Sequence, residues 1–228
     1  MWQFKDEHYT NPLVVQRAVQ MHKEMVNRDF NHPCIVVWGL HNEVTTNSEP
    51  TKEATRIFRE TSEAIDRSRL ITYASKFPLT DICYEFADVI AINYYIGWYK
   101  GPLSDWPAFL EELSAYLEQT GNGHKPLVMS EFGAGAIYGD RETESEVTWS
   151  ENYQYDYMDY TLDLFQNHPR MNGALIWQFC DIRAGTRTCE SGIRRALSRP
   201  RSFNNKGIVN EYRKPKLAYY AVKKAFSK

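Results

Sequence analysis

Two glutamates stand at the ends of apolar, strand-like runs: Glu43 closes VVWGLHNE, and Glu131 closes LVMSE with Phe-Gly following. A strand that is apolar along its length and delivers a carboxylate at its last step anchors in a sheet and presents that group at the rim. Two such carboxylates brought together could do the chemistry of glycoside hydrolysis, one giving a proton to the leaving oxygen and the other acting as nucleophile or base. A retaining enzyme would hold them roughly 5 to 5.5 Å apart, an inverting one about 6.5 to 9.5 Å. Spacing alone leaves a blander reading open, because a Glu just after a strand commonly faces solvent or caps the next helix. The pair His41-x-Glu43 could suggest a metal hydrolase, but neither H-E-x-x-H nor a Cys/His ligand set accompanies it. No metal and no other cofactor is expected.

The elements that must position these groups alternate. Short β-branched runs at Ile35 to Leu40, Leu70 to Ala74, Val89 to Tyr94, Leu127 to Ser130 and Ala174 to Phe179 are separated or flanked by segments of helical period. Helices are expected at about 11 to 29, with Asn11 as N-cap and Pro12 in the first turn, at 51 to 66 opened by Thr51, at 105 to 119, at 148 to 167 and at 215 to 226. In the first, Val14, Ala18, Met21 and Met25 fall on one stripe. Strands this apolar imply cover on both sheet faces, as in a doubly wound sheet or a (β/α)8 barrel. No strand is followed by a G-x-G-x-x-G turn or a phosphate loop, and the polar residues gather at strand ends: Asn42-Glu43, Tyr94-Tyr95, Glu131 and Gln178 to Asp181. The fold class is therefore α/β, a (β/α)8 barrel. A whole barrel needs eight strands and about 250 residues, so five strands preceded only by a helix make it incomplete. No linker or repeat divides the chain, and one domain over 1–228 is the economical reading.

Composition narrows the partners. With Lys+Arg 27 against Asp+Glu 29 and a net charge of −2, there is no basic face for nucleic acid and no Lys/Arg-rich run for a membrane surface. No apolar run approaches the roughly 20 residues of a membrane span, and the start Met1-Trp2-Gln3-Phe4 lacks a signal-peptide core. Cys34, Cys83, Cys180 and Cys189 form no CxxC pair and read as reduced thiols, hence a cytoplasmic protein. Aromatics reach 14%, many beside Asn, Glu and Gly, which suits a carbohydrate pocket as well as a large core.

The motifs carry a resemblance. NHPCIVVWGLHNE is similar to the acid/base strand of the family 2 glycoside hydrolases, and LVMSEFGAGAI to their nucleophile strand. GALIWQFCDIRAG and NNKGIVNEYRKPKLAYYAVKKAF resemble the end of the same domain, W-x-F-x-D followed by N-x-K-G and R-x-P-K. The match runs in order from about Asn11 to Phe226. It implies strands four to eight of the family's barrel, with Glu43 as general acid/base and Glu131 as nucleophile of a retaining double displacement. By the same resemblance Asn42 bonds the sugar 2-hydroxyl, Tyr95 bonds the nucleophile, Tyr99 reaches the sugar and Trp177 floors the subsite, while Trp98 is expected to pack in the core.

Asn204 and Lys206 match the N-x-K motif by which the family's β-glucuronidases grip the substrate carboxylate, so the resemblance implies a glucuronide. Of the arginines crowding that loop, Arg183, Arg187, Arg194, Arg195, Arg199 and Arg201, one of the last pair could assist. His41 before Asn42 and Val44 after Glu43 depart from the family's small residue and proline, which keeps a β-galactosidase-like member open. The family's preceding β-sandwich domains and first three barrel strands lie outside the aligned region. A catalytically incompetent fragment, associating with another chain through exposed sheet edges, is the remaining alternative.

Overall fold

The computed structural model describes residues 1–141, 147–184 and 199–227; Cys189, Arg187, Arg194 and Arg195 lie outside them. In chain order the elements are α1 (Asp6–Tyr9), α2 (Pro12–Asp29), β1 (Val37–Asn42), α3 (Glu49–Glu63), β2 (Leu70–Ser75), β3 (Val89–Asn93), α4 (Trp106–Gln119), β4 (Leu127–Phe132), α5 (Glu151–Asn167), β5 (Met171–Ile176), β6 (Ile182–Arg183), β7 (Phe203–Asn204) and α6 (Leu217–Phe226). Hydrogen-bonded strand neighbours run β1-β2-β3-β4-β5, and β6 pairs antiparallel with β7. The chain forms two compact units, Met1–Tyr94 with Leu110–Ser130, and Tyr95–Phe109 with Glu131–Lys228.

In the first unit, β1, β2 and β3 are parallel. The register Val37↔Leu70, Trp38↔Ile71, Gly39↔Thr72 then jumps to Asn42↔Ala74, so β1 carries one residue more than its partner. Such a bulge bends a strand and re-aims the side chains beyond it. The strand itself starts and ends two residues later than its apolar run, and Val36 is exposed. Nor does only a helix precede it: Trp2 bridges in parallel to Asn42, whose N–H donates to the Met1 carbonyl and whose carbonyl accepts from Gln3 N–H.

Helix α2 opens as expected, with Asn11 Oδ1 accepting from Leu13 N–H at 3.0 Å and Pro12 at a position that has no helical N–H bond to lose. Its buried stripe is Ala18, His22 and Val26, one position around from the expected one, and Met21 points outward. Helix α3 begins before Thr51, at Glu49. Pro50 sits in its first turn, and the Ser48 hydroxyl is engaged with Asp6 and the Thr45 carbonyl while Thr51 is buried.

In the second unit Trp177 N–H donates to the Phe132 carbonyl at 2.9 Å, joining the ends of β4 and β5. Ser150, not residue 148, caps α5 by accepting from Tyr153 N–H. Phe165 on α5 makes T-shaped contacts with Trp106 and Phe132, with centroids 5.0 and 5.2 Å away. Strand β5 lies three residues before its apolar run, and Leu175 and Phe179 are 60% and 58% exposed. The expected cover on both faces is absent there among the described residues.

Cys34, Cys83 and Cys180 are free thiols, Cys83 buried and Cys34 exposed. No described helix is long and apolar enough to cross a membrane.

Candidate active site

The bulge in β1 separates three consecutive polar side chains. His41 is buried, its Nε2 2.9 Å from Thr55 Oγ1 on α3 and its ring 4.6 Å from Tyr73. Burial pulls its imidazole down to about 3, so it is a neutral core residue. Asn42 and Glu43 instead meet Asn93, the last residue of β3. Asn93 Nδ2 donates to Asn42 Oδ1 at 3.0 Å and to Glu43 Oε1 at 3.3 Å, while its Oδ1 accepts from the Ser130 hydroxyl on β4 at 2.7 Å. The hydroxyl fixes which way the amide faces, and the amide then holds both site residues. Gln3 Nε2 donates to the other Glu43 oxygen at 3.0 Å. Glu43 sits at φ +53°, a left-handed conformation that costs a non-glycine residue about 1 kcal/mol or more and is characteristic of functional positions.

In the second unit, Tyr95 hydroxyl donates to Glu131 Oε2 at 2.7 Å. The Tyr99 ring stands edge-on to Tyr95 with centroids 5.2 Å apart, and its hydroxyl accepts from Lys206 Nζ at 2.8 Å. That ammonium lies 4.6 Å from the Tyr99 ring centre, 4.8 Å from Trp98 and 5.7 Å from Tyr95, an arrangement that favours a cation. Lys206 is only 4% exposed. Burial and the nearby Arg199 charge pull its ammonium down to about 7, against an opposing pull from Glu131.

A cavity of about 320 Å³ opens beside it, lined by Trp98, Tyr99, Thr148, Trp149, Arg199, Asn204, Asn205 and Lys206. Trp98, expected in the core, lines this cavity edge-on to Trp149 at 4.8 Å. Gly135 lets the two rings meet, since a Cβ there would press on both indoles. Of the two expected arginines, Arg199 lines the cavity, whereas Arg201 is exposed in a left-handed turn. Asn204 Oδ1 accepts from Lys206 N–H at 3.4 Å and its carbonyl from Gln178 Nε2 at 3.3 Å, so it braces the loop as well as lining the cavity. Trp177 is 37% exposed at the end of β5 and is not among the described lining residues.

Each expected site residue thus has a place: Asn42 and Glu43 together, and Glu131, Tyr95, Tyr99, Lys206 and Asn204 in a second group, with Trp177 just past the end of β5 and not among the described residues that line the cavity. Sequence reasoning passed over Asn93, although it stands only two residues before Tyr95. Gln3 and Trp149 gave no local signal. Lys216 and Asp181, quoted only as parts of longer motifs, form a buried ion pair at 2.9 Å.

These groups match a known architecture. Residues 3–228 fit the model of the glycosyl hydrolases family 2, TIM barrel domain, and the chain belongs to that family. It is 29% identical over 229 residues to a β-glucuronidase of Paenibacillus borealis, covering 94% of this chain and 35% of that protein. With the β-glucuronidase of Homo sapiens it shares 28% over 224 residues, 96% of this chain and 33% of the other. Among solved structures, the family 2 β-galacturonidase of Eisenbergiella tayi bound to galacturonate superposes with a TM-score of 0.88 at 37% identity, covering 99% of this chain and 39% of that one. The β-glucuronidase of Ruminococcus gnavus in complex with uronic isofagomine gives 0.79 at 28%, covering 95% and 36%. The chain spans about a third of the length of the curated relatives it matches.

Proposed function

We propose that this chain is the carboxyl-terminal part of the catalytic barrel of a retaining glycoside hydrolase that cleaves terminal β-D-glucuronides. The observation that carries the reading is the buried Lys206 ammonium, held by Tyr99 and three aromatic rings beside a cavity that Arg199 also lines. A neutral hexose has no use for two cations, whereas a carboxylate gains charge-assisted hydrogen bonds about twice as strong as neutral ones.

In this reading the Glu131 carboxylate, oriented by the Tyr95 hydroxyl, attacks the anomeric carbon as the glycosidic C–O bond breaks, and Glu43 gives its proton to the departing oxygen. Water then loses a proton to Glu43, its oxygen bonds the anomeric carbon, and Glu131 leaves. Asn42, fixed through its Oδ1 by Asn93, has its own amide N–H groups to offer the sugar 2-hydroxyl.

A second reading within the same chemistry is a galacturonide substrate, favoured by the 37% identity to the Eisenbergiella tayi enzyme against 28–29% to the glucuronidases. Both uronides offer the same carboxylate to Lys206. Aryl β-glucuronide, β-galacturonide, β-glucoside and β-galactoside, compared by kcat/KM, separate the possibilities. Preference for a neutral sugar, or no turnover of any, overturns the proposal. A 2-deoxy-2-fluoro glucuronyl fluoride should label Glu131, as read by peptide mass spectrometry.

A further inference from the structure

The cation that faces the cavity is carried on a side chain with four rotatable bonds, so its placement depends on the main chain beneath it. That main chain is gripped on both sides of Lys206. Lys216 Nζ donates to the Asn205 carbonyl at 3.0 Å, to the Ala136 carbonyl at 2.6 Å and to Asp181 Oδ1 at 2.9 Å. Asp181 Oδ1 also accepts from Gly207 N–H at 2.9 Å. The residue before Lys206 is thus tied to Lys216, and the residue after it to Lys216's own counter-ion. All three ammonium protons are committed.

We infer that Lys216, together with Asp181, is a positioning residue that sets where the Lys206 ammonium stands, and hence how strongly the chain discriminates a carboxylate-bearing sugar from a neutral one. The inference rests on the reading of Lys206 given above. Neither partner lines the cavity itself; both side chains are at most 1% exposed. A buried ion pair is a poor way to gain stability, since well-packed apolar residues commonly do as well or better. What apolar residues cannot do is hold two carbonyls and an N–H at fixed points.

Gly207 makes the coupling direct. A Cβ there would collide with the main chain of Cys180, Asp181 and Val209, so the two segments meet backbone to backbone with no side chain to absorb a shift. Burial pushes the Asp181 carboxyl up to about 6, against the opposing pull of the Lys216 ammonium.

The test uses the full chain with Lys216→Met combined with Asp181→Asn, a neutral pair that keeps an acceptor for Gly207 and removes the ammonium; Lys216→Met alone is the second variant. The ratio of kcat/KM for aryl β-glucuronide to that for aryl β-glucoside should fall about tenfold or more, with KM for the glucuronide rising more than kcat falls. An unchanged ratio in a folded double variant overturns the inference. A readout independent of turnover is the 13Cε resonance of Lys206 in lysine-labelled protein, which should change in position and titration in the double variant; an unaltered Lys206 signal equally overturns it. The two readings come apart in Lys206→Met. If that variant leaves the substrate ratio intact while the Lys206 signal still responds to the Lys216 substitution, the uronide reading falls and the positioning role stands.

Discussion

Around Glu43 the hydrogen-bonding groups are neutral amides, Gln3 and Asn93, with Ser130 behind them, whereas Glu131 meets a phenol whose ring lies near a buried ammonium. Two carboxylates of the same residue type are therefore embedded in different media. Neutral donors orient an acid without imposing a net charge on it, which suits a group that must hold a proton at one step and release it at the next. A cation nearby favours the ionised form and suits a nucleophile. In the proposed mechanism this contrast would divide the labour between the two strand ends.

The comparison breaks most sharply at Glu131. Glu131→Gln should lower kcat by about 10⁴-fold or more, measured by release of the aryl group; retained turnover would mean that the two ends do not differ in the way described. Next comes Lys206→Met, with a rise of about ten- to a hundredfold in KM for the glucuronide. The same cation gives the contrast a pH signature. Lys206 is charged below about 7 and neutral above it, so KM for the glucuronide should climb towards tenfold per pH unit above that point, while KM for the glucoside does not follow it.

Asn93→Ala should reduce kcat by roughly tenfold on uronide and neutral sugar alike, because it loosens Glu43 and Asn42 and leaves the cation untouched. An effect confined to uronides would erase the distinction between the two ends. The last effect leaves the chemistry alone and concerns stability. Burial pulls the His22 imidazole down to about 4, so the folded chain stays neutral there while the unfolded chain takes up a proton below about 6.5. Its contribution is present above that pH and lost as the pH falls towards 4. Thermal melts of His22→Leu against the parent should show a shallower decline over this range, by up to about 1.4 kcal/mol per pH unit.

Much of this was legible in the chain. Glu131 and Tyr95 meet as the motifs imply, and Asn42 and Glu43 arrive together at a strand end. What escaped depends on register and on packing at a distance. The apolar run Ala174 to Phe179 reads as a buried strand, but hydrophobicity reports a preference for burial, and Leu175 in β5 and Phe179 beyond its end are both exposed. Asn93 is invisible as a site residue until β3 is laid near β1, because an amide at a strand end has many possible partners. Lys216 looks like a surface lysine at a helix start. Only the folded chain places its ammonium against Asp181, 35 residues earlier.

The extra residue between Gly39 and Asn42 works like a shifted reading frame. Along a strand successive side chains alternate faces, so removing that one residue would exchange their assignments. His41 would turn from α3 towards the rim, and Asn42 would take its place in the interior beside Thr55 and Tyr73. The deletion would be punished as misfolding before it could be noticed as lost chemistry.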